Sequence, residues 1–132
     1  MIFQRYRTWI RIVLIVYWSA LFIGTHAPTV PAGVAEVSDK LLHYLAYGGL
    51  AFLLAMDQNA RGPLTLRRRC QIFAAVAVYA ALDELLQIPV GRTADVRDWV
   101  ADILGAVCGL GGHLLFCWGI RRISGEAPTQ DR

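Results

Sequence analysis

Long apolar runs alternate with short polar connections along the whole chain of 132 residues. The apolar runs cover about residues 8–25, 40–57, 70–88 and 96–120. A helix rises about 1.5 Å per residue, so each run can cross a hydrocarbon core about 30 Å thick. The pattern therefore predicts an all-α integral membrane four-helix bundle within residues 1–122. The polar segment 123–132 is expected to be a disordered tail.

Local signals mark the ends of these four predicted spans. Pro28 and Pro31 place a loop between the first and second spans. Ser38 is expected to be the N-cap of the second helix. Pro89 should end the third helix, because proline lacks an N–H group and clashes with the preceding turn. Asp95 is the expected N-cap of the fourth helix.

Composition and charge support a membrane location. The chain is 56% hydrophobic and 17% charged, whereas about 25% charged residues is usual in soluble domains. Of its 13 basic residues, most lie near the N-terminus, in the middle connection or near the C-terminus: Arg5, Arg7, Arg11, Arg61, Arg67, Arg68, Arg69, Arg121, Arg122 and Arg132. The positive-inside rule then predicts that both termini are cytoplasmic. Arginines at the ends of apolar segments indicate membrane topology, and we expect no nucleic-acid partner.

A charged stretch, residues 83–102, interrupts the apolar pattern between the third and fourth spans. Asp83 and Glu84 would lie about 20 Å along the third span if it begins at Cys70. A carboxylate at membrane depth costs roughly 2.5–3.5 kcal/mol, so such groups normally face protein or water and are paired. Because consecutive helical residues are about 100° apart, the two acids should point to different sides. Gln87 shares the side of Asp83.

The fourth span carries its acids and two glycines on one stripe. Asp98, Asp102, Gly105 and Gly109 follow one another at steps of four, three and four residues. The two glycines form a GxxxG pair, which lets helix backbones approach closely. The carboxylates should therefore point into the bundle along a packing seam.

The second span places complementary groups at the same level. Lys40, His43 and Tyr47 follow at steps of three and four, and Asp39 lies one turn before His43. The sequence thus predicts an outer polar pocket between the second, third and fourth spans. Arg92 and Arg97, in and after the connecting turn, should lie at its rim.

Two segments, SDKLLHYLAYGG and DELLQIPVGRTADVRDWVADILGAVCG, resemble the characteristic motifs of VanZ-like proteins, in the same order. The likeness covers roughly residues 38–112 and carries over to Asp39, Lys40, His43, Tyr47, Glu84, Gln87, Arg92, Asp98, Gly105 and Gly109. Asp102 departs from the pattern, where the family often has Asn. The resemblance implies a multi-pass protein of the bacterial cytoplasmic membrane. The family is named for a protein associated with teicoplanin resistance, and no reaction comes with the resemblance.

Several functions fit these residues. Lys40, Arg92 and Arg97 would hold an anionic membrane lipid, a lipid-linked envelope precursor or a glycopeptide-related ligand. His43, Glu84 and Asp98 would supply acid–base or hydrogen-bond chemistry, with the other site residues binding and orienting the ligand: Asp39, Tyr47, Asp83, Gln87 and Asp102. A cation held by these carboxylates, with His43 as a further ligand for a transition metal, is chemically reasonable, but no dense ligand motif is present, so we assign no metal site and no cofactor. The alternatives are a structural or interaction subunit whose ion pairs hold the bundle together, and an ion pathway. The sequence does not define an oligomeric state.

Overall fold

A computed structural model describes residues 2–26 and 36–124, and these ranges contain helices and turns without any strand. The elements are α1 (Ile2–Arg5), α2 (Arg7–His26), α3 (Glu36–Asn59), α4 (Leu66–Gln87), a 3-10 turn (Ile88–Val90) and α5 (Val96–Ile123). The four long helices, α2 to α5, correspond to the four predicted spans. The predicted loop around Pro28 and Pro31 and the tail from residue 125 onward lie outside the described residues.

Capping residues set where α4 and α5 begin. Thr65 accepts a hydrogen bond from the Arg68 N–H, at 3.4 Å, so α4 starts at Leu66, before the predicted position near residue 70. Asp95 accepts a hydrogen bond from the Arg97 N–H, at 2.8 Å, which confirms the predicted N-cap of α5.

The other helix ends show one correction. The prediction that Ser38 caps the second helix is wrong, because α3 already includes residues 36 and 37. α4 ends at Gln87, and Pro89 lies in the 3-10 turn, as its missing N–H group requires. Gly91 closes that turn with a φ of +81°, a conformation that glycine adopts without strain.

Consecutive long helices run antiparallel to one another, and α3 lies at the centre of the bundle. It contacts α2, α4 and α5, and its contact with α5 is the most extensive. Buried apolar residues follow the inner faces, chiefly Tyr47, Leu50, Ala51, Ala55, Val76, Ala80 and Ala106. The Trp99 indole N–H also donates to the Ala77 carbonyl, at 3.2 Å, and ties α5 to α4.

Glycines allow the close approach of α3 and α5. A Cβ atom on Gly105 would overlap the Tyr44 carbonyl oxygen, and one on Gly109 would overlap the Gly48 carbonyl oxygen. The two helix backbones can approach this closely only because glycine has no side chain. The same contact places Asp102 and Asp98, one and two turns before Gly105 on α5, against the start of α3.

The outer surface of the bundle is apolar. α2, α4 with its following turn, and α5 are each long and apolar enough to cross a membrane. α3 does not belong to that set, and it is the helix that carries Asp39, Lys40, His43 and Asp57. Large apolar side chains such as Trp9, Val16, Ile23, Val78, Leu85 and Leu115 are exposed. A lipid environment removes the cost of exposing them, so the fold is compatible with a four-helix membrane bundle.

Candidate functional site

Four carboxylates are buried where α3, α4 and α5 meet. Asp83, Glu84, Asp98 and Asp102 are each at most 8% exposed. We call these four residues the carboxylate cluster. They lie at the end of the bundle that holds the α4–α5 connection, as their positions in the sequence predicted.

His43 lies at the centre of the cluster. Its Nδ1 atom is 3.0 Å from Asp102 Oδ1 and 3.9 Å from Glu84 Oε1. The Tyr47 ring, one turn further along α3, lies nearly parallel to the imidazole, with an interplanar angle of 3°. Within the described residues, Asp102 Oδ2 and the Tyr47 hydroxyl are buried and have no hydrogen-bond partner.

The adjacent acids of α4 face different neighbours, as helical geometry requires. Asp83 faces α2, where its Oδ1 accepts a hydrogen bond from the Thr25 hydroxyl at 3.2 Å and lies 3.7 Å from His26 Nδ1. Glu84 faces α5, and its Oε2 accepts a hydrogen bond from the Asp95 N–H at 3.0 Å. Both are buried because α4 is covered on both sides.

Gln87 lies between these two carboxylates. Its Nε2 atom is 3.5 Å from Asp83 Oδ2 and 3.5 Å from Glu84 Oε1. The side chain is 2% exposed. The Gln87 amide therefore lies between the carboxylates of Asp83 and Glu84, which point to different sides of α4, and it contacts both.

Two of the three cations expected to bind a ligand are engaged with carboxylates. Lys40 Nζ lies 3.1 Å from Asp98 Oδ1 and 3.7 Å from Asp95 Oδ2. Arg92 donates from Nη1 to the Thr25 carbonyl at 2.9 Å, and its Nη2 lies 3.7 Å from Asp39 Oδ1. The Arg97 side chain is exposed.

Negative charge predominates at this end of the molecule. Among the described side chains here, six carboxylates accompany three permanent cations, an excess of three negative charges when all are ionised: Asp39, Asp83, Glu84, Asp95, Asp98 and Asp102 against Lys40, Arg92 and Arg97. His26 and His43 are the further groups that can carry positive charge. The site can therefore bind protons or cations at its carboxylates. It can also bind an anion next to one of its cationic side chains.

A cavity of about 250 Å³ opens beside the cluster, between α2 and α3. Its apolar lining is Ala20, Leu21, Gly24, Leu42 and Ala46, and its polar lining is Thr25, Asp39, His43, Tyr47 and Arg92. The sequence placed the pocket between the second, third and fourth spans and left out the first. The carboxylates do lie where α3, α4 and α5 meet, whereas this cavity lies between α2 and α3, so α2 supplies one of its walls.

Sequence reasoning missed Thr25 and His26, which bring α2 into the site. Both lie at the end of the first span, at the same level as the acids of the third. Counting residues from the end of the span would have placed them at the level of these acids. The apolar run before them does not show which neighbouring helix they face.

A second polar group, at the opposite end of the bundle, was also missed. Asp57 is 3% exposed and lies 3.3 Å from Arg11 Nε and 2.6 Å from Arg61 Nη2. His113 is fully buried, with Arg69 Nη1 at 3.3 Å and Cys117 Sγ at 3.5 Å. The sequence placed Asp57 at the end of the second span, residues 40–57, whereas α3 extends past it to Asn59.

These features define a class of protein: a multi-pass helical membrane protein with a charged cluster buried at one end of the bundle. The VanZ/LLP1 family model matches residues 40–117, more than half of the chain. The chain therefore belongs to the VanZ/LLP1 family, which confirms the resemblance seen in the sequence. No curated protein and no solved structure gives a significant match.

The family match covers the carboxylate cluster but leaves out one wall of the cavity. Residues 40–117 include His43, the four residues of the carboxylate cluster and Arg92. α2, with Thr25 and the apolar lining from Ala20 to Gly24, lies before the matched region. The wall formed by α2 is thus known for this chain from its structure rather than from the family.

Proposed function

We propose that this VanZ/LLP1 protein binds an anionic lipid of the cell envelope in the cavity between α2 and α3. The observation that carries the proposal is the division of the cavity lining into an apolar part and a polar part that contains Arg92. A lipid has the same division between its chain and its head group. A glycopeptide-related ligand or lipid-linked wall precursor belongs to the same chemical class if it carries a phosphate and a hydrocarbon chain.

The apolar part of the cavity suits a hydrocarbon chain. Small residues, Ala20, Gly24 and Ala46, leave space, and Leu21 and Leu42 supply contact surface. Leu14 and Leu21 are the buried residues of α2 within its described range, so most of this helix faces outward. A lipid would enter sideways from the bilayer along α2, without passing through water.

The polar part of the cavity suits a phosphate. The guanidinium of Arg92 has five N–H donors in a planar fork that matches phosphate oxygens. One donor holds the Thr25 carbonyl, which fixes the guanidinium in place. Asp39, whose side chain is 36% exposed, lies at the longer distance of 3.7 Å and can turn toward water when a phosphate replaces it.

His43 is the residue through which the protein would act chemically on a bound head group. It lines the cavity, and Asp102 Oδ1, 3.0 Å from its Nδ1, would orient the ring. A carboxylate–imidazole pair is the arrangement that general bases use. In this proposal Glu84 supports the pair at 3.9 Å, while Asp98 is held by Lys40 and has a positioning role.

Native mass spectrometry of the full chain in detergent tests the binding proposal. We expect phosphatidylglycerol and a polyprenyl phosphate, added separately, to form complexes that phosphatidylcholine does not. Arg92→Gln should weaken binding by about tenfold or more, since a charge-assisted hydrogen bond is worth about 1.5–3 kcal/mol. Arg97→Gln is the matched control, because Arg97 is exposed and does not line the cavity. Equal binding by the two variants would contradict the proposal.

A structural role is the second candidate, and the paired state of Lys40 and Arg92 favours it. In that case the ion pairs serve only to join the helices. The wild-type protein would then show no selective lipid complex, and Arg92→Gln would lower the unfolding temperature without any effect on lipid binding.

A contribution to glycopeptide resistance is a separate consequence to test. If the bound lipid is a wall precursor, then deletion of the gene in its bacterium should change susceptibility to teicoplanin. Complementation with Arg92→Gln should fail to restore the wild-type susceptibility, whereas Arg97→Gln should restore it. Unchanged susceptibility after deletion would show that this protein does not contribute to teicoplanin resistance.

A further inference from the structure

We infer that His43, Glu84 and Asp102 form a binding site for one divalent transition-metal ion, Mn²⁺ or Zn²⁺, at the junction of α3, α4 and α5. The three residues are each at most 6% exposed. They come from three different helices, so a bound ion would join the centre of the bundle. This inference does not depend on lipid binding.

The donor atoms have the spacing that a metal ion requires. One nitrogen of His43 and one oxygen from each acid all lie within 4.8 Å of one another. The two distances from His43 Nδ1 are 3.0 Å to Asp102 and 3.9 Å to Glu84. Bonds of about 2.0–2.2 Å in tetrahedral geometry place donor atoms about 3.3–3.6 Å apart. The two distances from His43 differ from this spacing by a few tenths of an ångström, and the two acid oxygens, at most 4.8 Å apart, would approach each other by up to about 1.5 Å as their side chains turn toward one ion.

Two buried polar atoms beside this triad point to a ligand. Asp102 Oδ2 is buried in a residue that is 1% exposed, and it has no hydrogen-bond partner among the described residues. The Tyr47 hydroxyl, in a residue that is fully buried, makes no hydrogen bond within standard distance and angle there, and Asp83 is the carboxylate that approaches it as a weaker partner. A buried polar atom without a partner destabilises a fold, because it has lost its hydrogen bonds to water. An ion with its bound water would satisfy both atoms.

The charge of the surroundings favours a cation at this position. The described carboxylates at this end exceed the permanent cations by three, with six of the former and three of the latter. Lys40 and Arg92 neutralise Asp98 and Asp39 at the edge of the cluster. Glu84 and Asp102, deeper in the bundle, have His43 as their neighbouring basic group. A divalent ion would balance these two carboxylates while the imidazole stays neutral.

The ligand types select the class of ion. An imidazole nitrogen with two carboxylate oxygens suits first-row transition metals such as Mn²⁺ and Zn²⁺, whereas Ca²⁺ and Mg²⁺ prefer oxygen ligands alone. A second possible set, Asp39, His43 and Asp98, shares the same histidine. It is less suited, because Lys40 lies 3.1 Å from Asp98 and would repel a metal ion.

Metal titration of the full chain in detergent tests the inference. Protein stripped with a chelator is titrated by calorimetry with Mn²⁺, Zn²⁺, Mg²⁺ and Ca²⁺ in turn, and bound metal per chain is counted after dialysis. We expect one Mn²⁺ or Zn²⁺ per chain, with tighter binding than either Mg²⁺ or Ca²⁺. No bound transition metal, or preferential binding of Ca²⁺, would overturn the inference.

Variants show which of the two possible ligand sets holds the ion. Asp102→Asn and, separately, Glu84→Gln should each weaken binding at least tenfold. Asp39→Asn is the control, since it belongs to the second set alone and should keep wild-type affinity. Each variant is checked for unchanged helical content, and the Mn²⁺ electron paramagnetic resonance spectrum should change in the first two variants. A loss of binding in Asp39→Asn with Asp102→Asn unaffected would refute the assignment.

Discussion

The buried carboxylates near His43 each have a specific neighbour. Asp98 pairs with Lys40, Asp102 with His43, Asp83 with Thr25, and Glu84 accepts a hydrogen bond from the Asp95 backbone. Breaking a buried charge pair by removing one partner is strongly destabilising, whereas removing both is often tolerated. The contribution of each pair is therefore measured only when both partners are changed.

We expect such coupling between Lys40 and Asp98. The Lys40 side chain is 37% exposed and that of Asp98 is 11% exposed, so solvent weakens the pair and a coupling energy of about 1 kcal/mol is reasonable. Lys40→Met and Asp98→Asn should each lower the free energy of unfolding, and the double variant should lose less than the sum of the two. Unfolding in mixed micelles measures this, and strict additivity would show that the pair contributes nothing.

Periodicity predicted much of the site at the level of single residues. The steps from Asp98 to Gly105 placed two acids on the packing stripe, and the different directions of Asp83 and Glu84 followed from the angle of about 100° between consecutive helical residues. Periodicity could not show that Thr25 faces Asp83 or that Gly24 borders a cavity. Those facts depend on how α2 is rotated against α3, which no spacing within one helix determines.

Among the helices, α3 is the one that joins the others. It carries polar groups at both ends, with His43 near α4 and α5 and Asp57 near Arg11 of α2. Its close contact with α5 depends on Gly48, Gly105 and Gly109. The separation of these two helices in turn sets the distances within the metal-ligand triad, because His43 and Asp102 lie across that contact.

A methyl group at Gly105 should therefore separate α3 from α5. Gly105→Ala would place its Cβ against the Tyr44 carbonyl, and overpacking of this kind costs about 1–3 kcal/mol. Gly111→Ala, on the same helix, has open space around its Cβ and should be neutral or slightly stabilising. Thermal unfolding of both proteins in one detergent compares them. Similar unfolding temperatures would mean that the bundle relaxes without loss.

Helix ends were harder to predict than helices. The apolar run placed α3 from residue 40 to residue 57, whereas the helix spans Glu36–Asn59. Apolar periodicity reports only the part of a helix that faces lipid or the core, so the polar turns at either end of α3 were not visible. The Asp95 cap was predictable, because its side chain makes a local contact that its position in the sequence already defines.

For the whole molecule, the arrangement of basic residues predicts that the α4–α5 connection lies outside and the α3–α4 connection lies inside the cell. Thr93 and Pro63 are exposed residues in those two connections. In protein lacking Cys70 and Cys108, Thr93→Cys should react with a membrane-impermeant maleimide in intact cells. Pro63→Cys should react only after the membrane is permeabilised, and the reverse pattern would invert the topology.

The proposed function depends on the cavity between α2 and α3, which lies partly within the region matched by the family model. The family match contains three of its polar residues, His43, Tyr47 and Arg92, and the described structure adds Asp39, Thr25 and the apolar wall from α2. A ligand held there would touch both the bilayer and the charged cluster. Its occupancy can be changed without altering any charged residue, through Gly24, whose Cβ position is open.

Lipid titration of Gly24→Phe by native mass spectrometry tests this account most directly. The phenyl ring would fill part of the cavity, and we expect binding of phosphatidylglycerol to weaken by about tenfold or more, with an unchanged unfolding temperature. Gly111→Phe, at an equally open position outside the cavity lining, should bind lipid as the wild type does. Wild-type lipid affinity in folded Gly24→Phe would contradict the proposal that this cavity is the binding site.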